Sequence, residues 1–378
     1  MKKFFIKLAI LILLTLFFQL LFLIVDINSF DQLKILEEAK KGKTDVIYFG
    51  DSSASNYGRN DSDKRPLPQM LGKILNDRTI ASIDNPAYAA EIFLEFSKYI
   101  IKEKYHPEFV VIPINIRSFS PSWDKNPGYQ FYDQKAILKN KLLFMFLKSI
   151  EAFDKNNSLN EISQSEFENT DVFNGEKAVG KAKDFEDHSF RHYSEENMRN
   201  SILYFYMFSL KEDHRKISSF SQIAEILLAN NIKPIFYITP VDYETGERYF
   251  PGQFLERLKH NTEMIKSVLE KNNIKVIDLS TSLKSDFFAW EKYPNEHLNE
   301  KGRKYVAEKI AERINGYQEK SAAECKKYSV DRCPGGCVVC PPCEACSSLG
   351  CNSLEFCKNI GFGEDWYETI KLRLEITK

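Results

Sequence analysis

No cysteine occurs before Cys325, neither sign of charge is in excess, and outside Phe4–Val25 no apolar run is long enough to cross a bilayer. Each absence excludes something. The first 324 residues hold no thiol that could mispair in an oxidising compartment, because all eight cysteines are confined to the tail. The 52 Lys+Arg are interspersed with 53 Asp+Glu for a net charge of -1, so no field gathers a polyphosphate and nucleic acid is not an expected partner. Tryptophan is scarce, at 3 residues against 29 Phe and 18 Tyr. That aromatic supply would suit sugar stacking, but its ordinary use is in a core.

What is present begins with the apolar run itself. Phe4 to Val25 is broken only by Lys7 and Gln19, follows Met1-Lys2-Lys3, and as a helix rising about 1.5 Å per residue spans a hydrocarbon core of about 30 Å. The preceding positive charge places the N-terminus in the cytoplasm and the rest of the chain outside. The stretch Leu20 to Val25 offers no small-x-small cleavage site, which favours an uncleaved anchor over a signal peptide. The expected division is a transmembrane anchor over 1–28, an α/β domain over 29–316 and a linker with a cysteine-rich tail over 317–378.

Strand and helix patterns then alternate. Short apolar runs at Asp45–Phe49, Thr79–Asp84, Phe109–Ile114, Pro234–Ile238 and Lys275–Leu279 read as buried parallel strands. Helical periodicity predicts helices over Phe93–Ile101, Ile217–Leu228, Phe254–Lys271 and Gly302–Ile314. Ser29 to Lys41 reads as a spacer or the first helix of the domain. The alternation predicts an α/β fold of flavodoxin-like, three-layer type, whose ligands gather at the carboxyl ends of the strands. Between 118 and 196 it lapses into a polar insertion, read as a lid or surface excursion, with one helical pattern over Lys139–Phe153.

Two segments carry the chemistry. Gly50-Asp51-Ser52-Ser53 follows the first strand, and Asn295-Glu296-His297-Leu298-Asn299 precedes the last helix. A serine hydroxyl is a weak nucleophile until an imidazole takes its proton, so Ser52 and His297 form a candidate nucleophile and base. The bland alternative for Asp51 and Ser52 is a helix N-cap.

These blocks, with Asn85 and Asn115, resemble the SGNH (GDSL-like) hydrolase superfamily over Thr44–Ile314, the ending His297-Leu298-Asn299-Glu300-Lys301-Gly302 being its His-x-Asn-x-x-Gly. The resemblance implies the SGNH hydrolase fold, with Ser52 as nucleophile and His297 as base. It also implies an oxyanion hole built from the Ser52 amide, an amide near Ala87 to Ala89 and the Asn115 side chain. Three departures stand out. Ala87 falls in the block where the family has glycine. Arg117 follows Asn115 and could replace or assist it, or be a surface arginine. Pro294 stands where the family has an aspartate, leaving Glu296, Asn295 or the more distant Asp286 as the orienting group, or a dyad held by a backbone carbonyl.

The expected activity is ester hydrolysis or O-acyl transfer on an extracytoplasmic glycan or lipid by a single-pass membrane protein, with no cofactor. The alternative is an inactive surface binding or adhesion protein on the same fold. His188 and His192, spaced four apart beside Asp184, Glu186 and Asp187, read as a solvated surface before a metal site, so no metal is expected. The cysteines Cys325, Cys333, Cys337, Cys340, Cys343, Cys346, Cys351 and Cys357 are candidates for four disulfides in a stub too small for a core, with iron-sulfur or zinc ligation the rival reading. A short helix from Trp366 to Leu374 could dock onto it.

Overall fold

The structure is a computed structural model and describes residues 2–27, 31–125, 127–140, 195–271, 274–290, 295–316, 338–339 and 351–352. Helix α1 (Lys2–Ile27) is the apolar segment. Its Lys2–Leu21 stretch is long and apolar enough to cross a membrane, and none of that stretch is buried against the protein. Helix α2 (Asp31–Gly42) is the first helix of the domain and no spacer, because Leu33, Leu36 and Ala39 are buried at helical spacing on one side of it.

The domain is built on five parallel strands: β1 (Val46–Gly50), β2 (Ile80–Asp84), β3 (Phe109–Ile114), β4 (Lys233–Ile238) and β5 (Val276–Asp278), in the order β2-β1-β3-β4-β5. This is the flavodoxin-like, doubly wound order, with its switch point between β1 and β3. Between the strands lie α3 (Ser52–Ser55), α4 (Leu67–Ile74), α5 (Ala90–Lys102), α6 (Pro121–Lys125), α7 (Glu195–Tyr206), α8 (Arg215–Ala229), α9 (Tyr243–Tyr249) and α10 (Phe254–Lys271). Helix α11 (Glu300–Asn315) closes the domain.

The alternation of side chains across each strand explains the three layers. Ile47, Phe49, Val110, Ile112, Phe236 and Ile238 face a core shared with α2, α5, α7, α8 and α10. Val46, Tyr48, Phe109, Val111, Ile235 and Tyr237 face the other, shared with α4 and α11. Strands covered on both faces lose their polar alternation, which is why they read as continuous apolar runs. Each fully buried Leu, Ile, Val or Phe contributes about 1.5–3 kcal/mol of transfer free energy.

The five expected strands and the helices expected over Phe93–Ile101, Ile217–Leu228, Phe254–Lys271 and Gly302–Ile314 fall within a few residues of their observed bounds, while the helix expected over Lys139–Phe153 lies almost wholly outside the described residues. Helices α4, α7 and α9 are additions. At the ends of the expected insertion, a 3₁₀ turn over Ile116–Phe119, α6, a helix over 132–140 and α7 pack into the folded domain. Buried Ile116, Phe119, Trp123, Ile137, Leu138, Met198 and Ile202 fix these segments in place. Residues 141–194, with His188 and His192, lie outside the described residues. So does most of the tail, of which two short antiparallel strands, Val338–Val339 and Cys351–Asn352, are described. The disulfide expectation and the Trp366 helix fall outside as well.

Candidate active site

β1 ends in Gly50 because no side chain fits there. A Cβ would lie 2.9 Å from the Asp84 Cβ and 3.1 Å from that of Ala54. The chain then turns directly into α3, for which Asp51 is the N-cap. Its carboxylate accepts the Ser53 amide at 2.8 Å, the Ser53 hydroxyl at 2.5 Å and the Asn115 amide Nδ2 at 2.8 Å. The N-cap reading and the nucleophile reading of this block therefore hold together: Asp51 caps the turn, and the cap holds Ser52 at the first helical position. Burial pushes the Asp51 carboxyl up, against the pull of its hydrogen bonds to Ser53 and Asn115.

His297 arrives from the opposite end of the sequence. Its main chain is fixed on both sides, since the Ala289 amide donates to the His297 carbonyl at 2.8 Å and the His297 amide donates to Asn295 Oδ1 at 2.9 Å. Leu298 bridges to Phe288, and the Asn295 carbonyl accepts the Asp242 amide at 2.9 Å, tying the loop to the end of β4. The His-x-Asn-x-x-Gly ending then has a structural meaning. Asn299 caps α11 by accepting the Lys301 and Gly302 amides, and a Cβ on Gly302 would strike the Phe287 carbonyl at 2.5 Å.

Together these supports bring His297 Nε2 to 3.1 Å from the Ser52 hydroxyl, across 245 residues of sequence. Ser52 is partly exposed and His297 is 3% exposed, so a ligand can reach the hydroxyl while the ring is shielded. Burial drives the imidazole pKa down to about 4, with Glu296 opposing that shift and Arg117 adding to it. At neutral pH the ring is uncharged and can accept a proton. The other nitrogen, Nδ1, is buried and meets no hydrogen-bond partner among the described residues.

The carboxylate expected to orient the ring faces elsewhere. Glu296 accepts the Tyr206 hydroxyl at 2.7 Å and pairs with the Arg117 guanidinium at 3.5 Å, all in the interior. Burial works to raise its pKa, but Arg117, His297, Tyr206 and the Asn115 amide outweigh it and keep Glu296 ionised. It acts on His297 through space and makes no hydrogen bond to Nδ1. Asn295 supports the histidine through the main chain, while Asp286 is exposed and offers only its carbonyl, to Asn299. The physical reason is the turn. Asn295 Oδ1 caps the His297 amide and the Asn295 carbonyl is held by Asp242, which directs residue 296 inward to Arg117.

Two further residues depart from a simple reading. Arg117 is no surface arginine: it is 3% exposed, paired with Glu296, and its guanidinium lies over the rings of Phe205 and Trp123. Ala87 has φ of +66°, the left-handed region that favours glycine. The chain thus keeps the conformation while carrying a methyl group, at a cost of about 1 kcal/mol. The Asn115 side chain is anchored by Asp51 and by accepting the Arg117 amide at 3.1 Å.

Sequence reasoning missed Trp290. Its ring stacks on the His297 imidazole with centroids 3.9 Å apart and planes at 25°. It also missed Tyr206, which holds Glu296 from α7. No spacing pattern signals either one, because each reaches the site through tertiary packing.

Fold and site together define a doubly wound α/β protein with a serine–histidine pair beside the switch point of its sheet. No protein-family model and no curated protein matches the chain. Among solved structures it is similar to a lipase/acylhydrolase from Enterococcus faecalis, at 14% identity and a TM-score of 0.35, covering 72% of this chain and 95% of that one. It is also similar to an acetylxylan esterase from Geobacillus stearothermophilus (12%, TM-score 0.32, 72% and 94%) and to a putative lipolytic protein of the G-D-S-L family from Desulfitobacterium hafniense (15%, TM-score 0.31, 71% and 98%). The fold assignment rests on the strand order and parallel register described above.

Proposed function

We propose that this chain is a serine-dependent ester hydrolase or O-acyl transferase, with Ser52 as nucleophile and His297 as base. The observation that carries the reading is the 3.1 Å contact between Ser52 Oγ and His297 Nε2 at the carboxyl edge of the sheet. His297 Nε2 takes the hydroxyl proton as Ser52 Oγ bonds to the ester carbonyl carbon, and the carbonyl oxygen becomes the oxyanion. The Ser52 and Ala87 amides are the candidate donors for that oxygen, with Asn115 beside them. Collapse of the tetrahedral intermediate breaks the ester bond, and Nε2 returns the proton to the leaving alcohol. Water then attacks the acyl-Ser52 ester in a hydrolase, or a sugar hydroxyl in a transferase.

For Nε2 to accept, the proton of neutral His297 must sit on Nδ1, where it finds no acceptor among the described residues. Among the described residues the pair is a dyad, weaker than a triad whose acid fixes the tautomer, and a buried N–H left unsatisfied costs about 1–3 kcal/mol. The same observation supports the second reading, a surface binding protein that has lost activity. The surrounding reading is an anchor over 1–28, the domain outside the cytoplasm and a glycan or lipid ester as substrate. It is supported by the exposed, membrane-length α1.

The test is labelling by a fluorophosphonate probe. Folded wild-type protein should label and Ser52→Ala should not. Labelling that survives Ser52→Ala, or none in folded wild type, overturns the enzymatic reading, and the latter leaves the binder. Incubating an acetyl ester with and without a sugar acceptor then separates hydrolysis from transfer.

A further inference from the structure

We propose that the carboxyl edge of the sheet, and with it Ser52, faces the membrane surface, and that the ester or acyl donor is carried by a membrane lipid. The inference rests on the reading that α1 crosses the bilayer, and it narrows the substrate class of the proposed enzyme.

The first observation is where the tether joins the domain. α1 ends at Ile27, and Gln32, on the first turn of α2, donates its side-chain amide to the Asp84 carbonyl at 3.0 Å. Asp84 is the last residue of β2 and pairs in register with Gly50, two residues before Ser52. Five residue steps span at most about 18 Å. Adding the reach of the Gln32 side chain, the strand spacing of about 4.8 Å and the two residues from Gly50 to Ser52, Ser52 lies within about 40 Å of the end of α1. α2 then runs down the sheet to the start of β1. The tether therefore joins the domain at the edge that carries the site, and a domain of this size, with a radius of gyration of about 19 Å, hangs from that edge.

The second observation is independent of the tether. Among the described residues from 31 onward, three large aromatics stand exposed: Tyr57 at 50%, Tyr132 at 62% and Trp290 at 37%. All three lie on that same edge. Tyr57 follows α3, the helix that Ser52 begins, and Trp290 stacks on His297. Tyr132 adjoins Phe131, whose ring meets Tyr88 just after β2 at 4.7 Å. Amphipathic aromatic rings collect at the headgroup level of bilayers, where an apolar body and a polar tip are both served. Aromatic rings at a rim also suit sugar stacking, but these three share their edge with the tether, and that coincidence favours a site that takes its ester from the lipid surface.

The full-length protein, reconstituted into phosphatidylcholine vesicles with and without brominated acyl chains, tests this. In a Trp290→Phe, Trp366→Phe background, Tyr57→Trp reports the site edge and Leu228→Trp, near the end of α8, reports the opposite edge. Fluorophosphonate labelling of the wild-type protein in the same vesicles is scored separately. The brominated lipids should quench Tyr57→Trp emission at least about twofold more than Leu228→Trp emission. Protein that floats with the vesicles and labels, yet shows equal quenching at both positions, overturns this inference and leaves the enzymatic proposal standing. Protein that does not float with vesicles overturns the anchor reading and this inference together. As a second measurement, wild type should cleave an acetyl ester faster on a vesicle-borne lipid than on a soluble alcohol, and the reverse preference would overturn the substrate class.

Discussion

The two halves of the site are held by different kinds of interaction. Around Ser52 the supports are local and polar. Gly50 admits the close approach of Asp84, Asp51 caps the turn, Ser53 satisfies the cap, and Asn115 closes the set from the neighbouring strand. Around His297 the main chain is hydrogen-bonded, but the ring itself is held by an apolar face. The main chain is pinned by Ala289 and Asn295, the ring leans on Trp290 with Nδ1 unpartnered among the described residues, and the adjacent Glu296 belongs to Arg117 and Tyr206. A hydrogen-bonded turn fixes a hydroxyl through directional contacts. A stacked, desolvated ring is held in position by packing and is made a weaker base by the same packing.

The largest effect should come from removing the weakly held partner. His297→Ala should lower the rate of acyl-enzyme formation by 10³-fold or more on the scale of triad deletions, read by stopped-flow release from an activated ester. A loss under about tenfold would mean that the 3.1 Å contact is not the proton path.

Glu296→Gln sharpens the comparison, because it separates packing from catalysis. It removes the carboxylate charge paired with the buried Arg117, so chemical denaturation should show a loss of up to about 3–5 kcal/mol. The turnover of folded protein should fall by less than about tenfold, whereas a true triad acid would cost about 10⁴. A rate loss of that size without destabilisation would restore Glu296 as the orienting acid.

The desolvated imidazole also makes a prediction about pH. Its pKa is about 4 in the folded chain and about 6.5 when unfolded, so the unfolded state binds the proton first. The stability contributed by burying the neutral ring is complete above pH 6.5 and is lost as pH falls towards 4, reaching about 3 kcal/mol. Comparing wild type with His297→Asn at pH 7 and 4.5 should show the extra acid loss only in wild type, and equal losses would refute it.

Trp290→Ala should cost about tenfold in turnover by loosening the ring, with Trp290→Phe restoring most of it. Uncovering the imidazole raises its pKa towards the ordinary value, so the acid limb of kcat/KM should move up in pH. An unmoved limb would mean that Trp290 does not shield His297. The smallest effect concerns the Ser52 side. Ala87→Gly should relieve the strain at φ +66° and stabilise by about 0.5 kcal/mol, read as a small rise in Tm. A clear loss of stability would show that the methyl group is needed where it packs.

Much of this was legible in the residues. The strands were visible because sheets covered on both faces demand continuous apolar runs, and Phe254–Lys271 was predicted to the residue because its apolar stripe keeps the helical period. Helices α4 and α9 are eight and seven residues long, too short for periodicity to mark them. Of the site, Gly50-Asp51-Ser52 and His297-x-Asn299-x-x-Gly302 could be read because their supports lie within a few residues. The destination of Glu296 could not be read, since it depends on Arg117 and Tyr206, 179 and 90 residues away.

The sequence by itself determined the alternation of strand and helix, the membrane-length apolar segment, and the two turns that present a hydroxyl and an imidazole. Those properties are written in periodicity and short-range hydrogen bonding, which act between near neighbours in the chain. Only the tertiary structure decided that the two groups meet, that the neighbouring carboxylate turns inward to an arginine, and that a tryptophan lies against the base. Those contacts join residues brought together by burial and packing, and neither process leaves a spacing rule in the sequence.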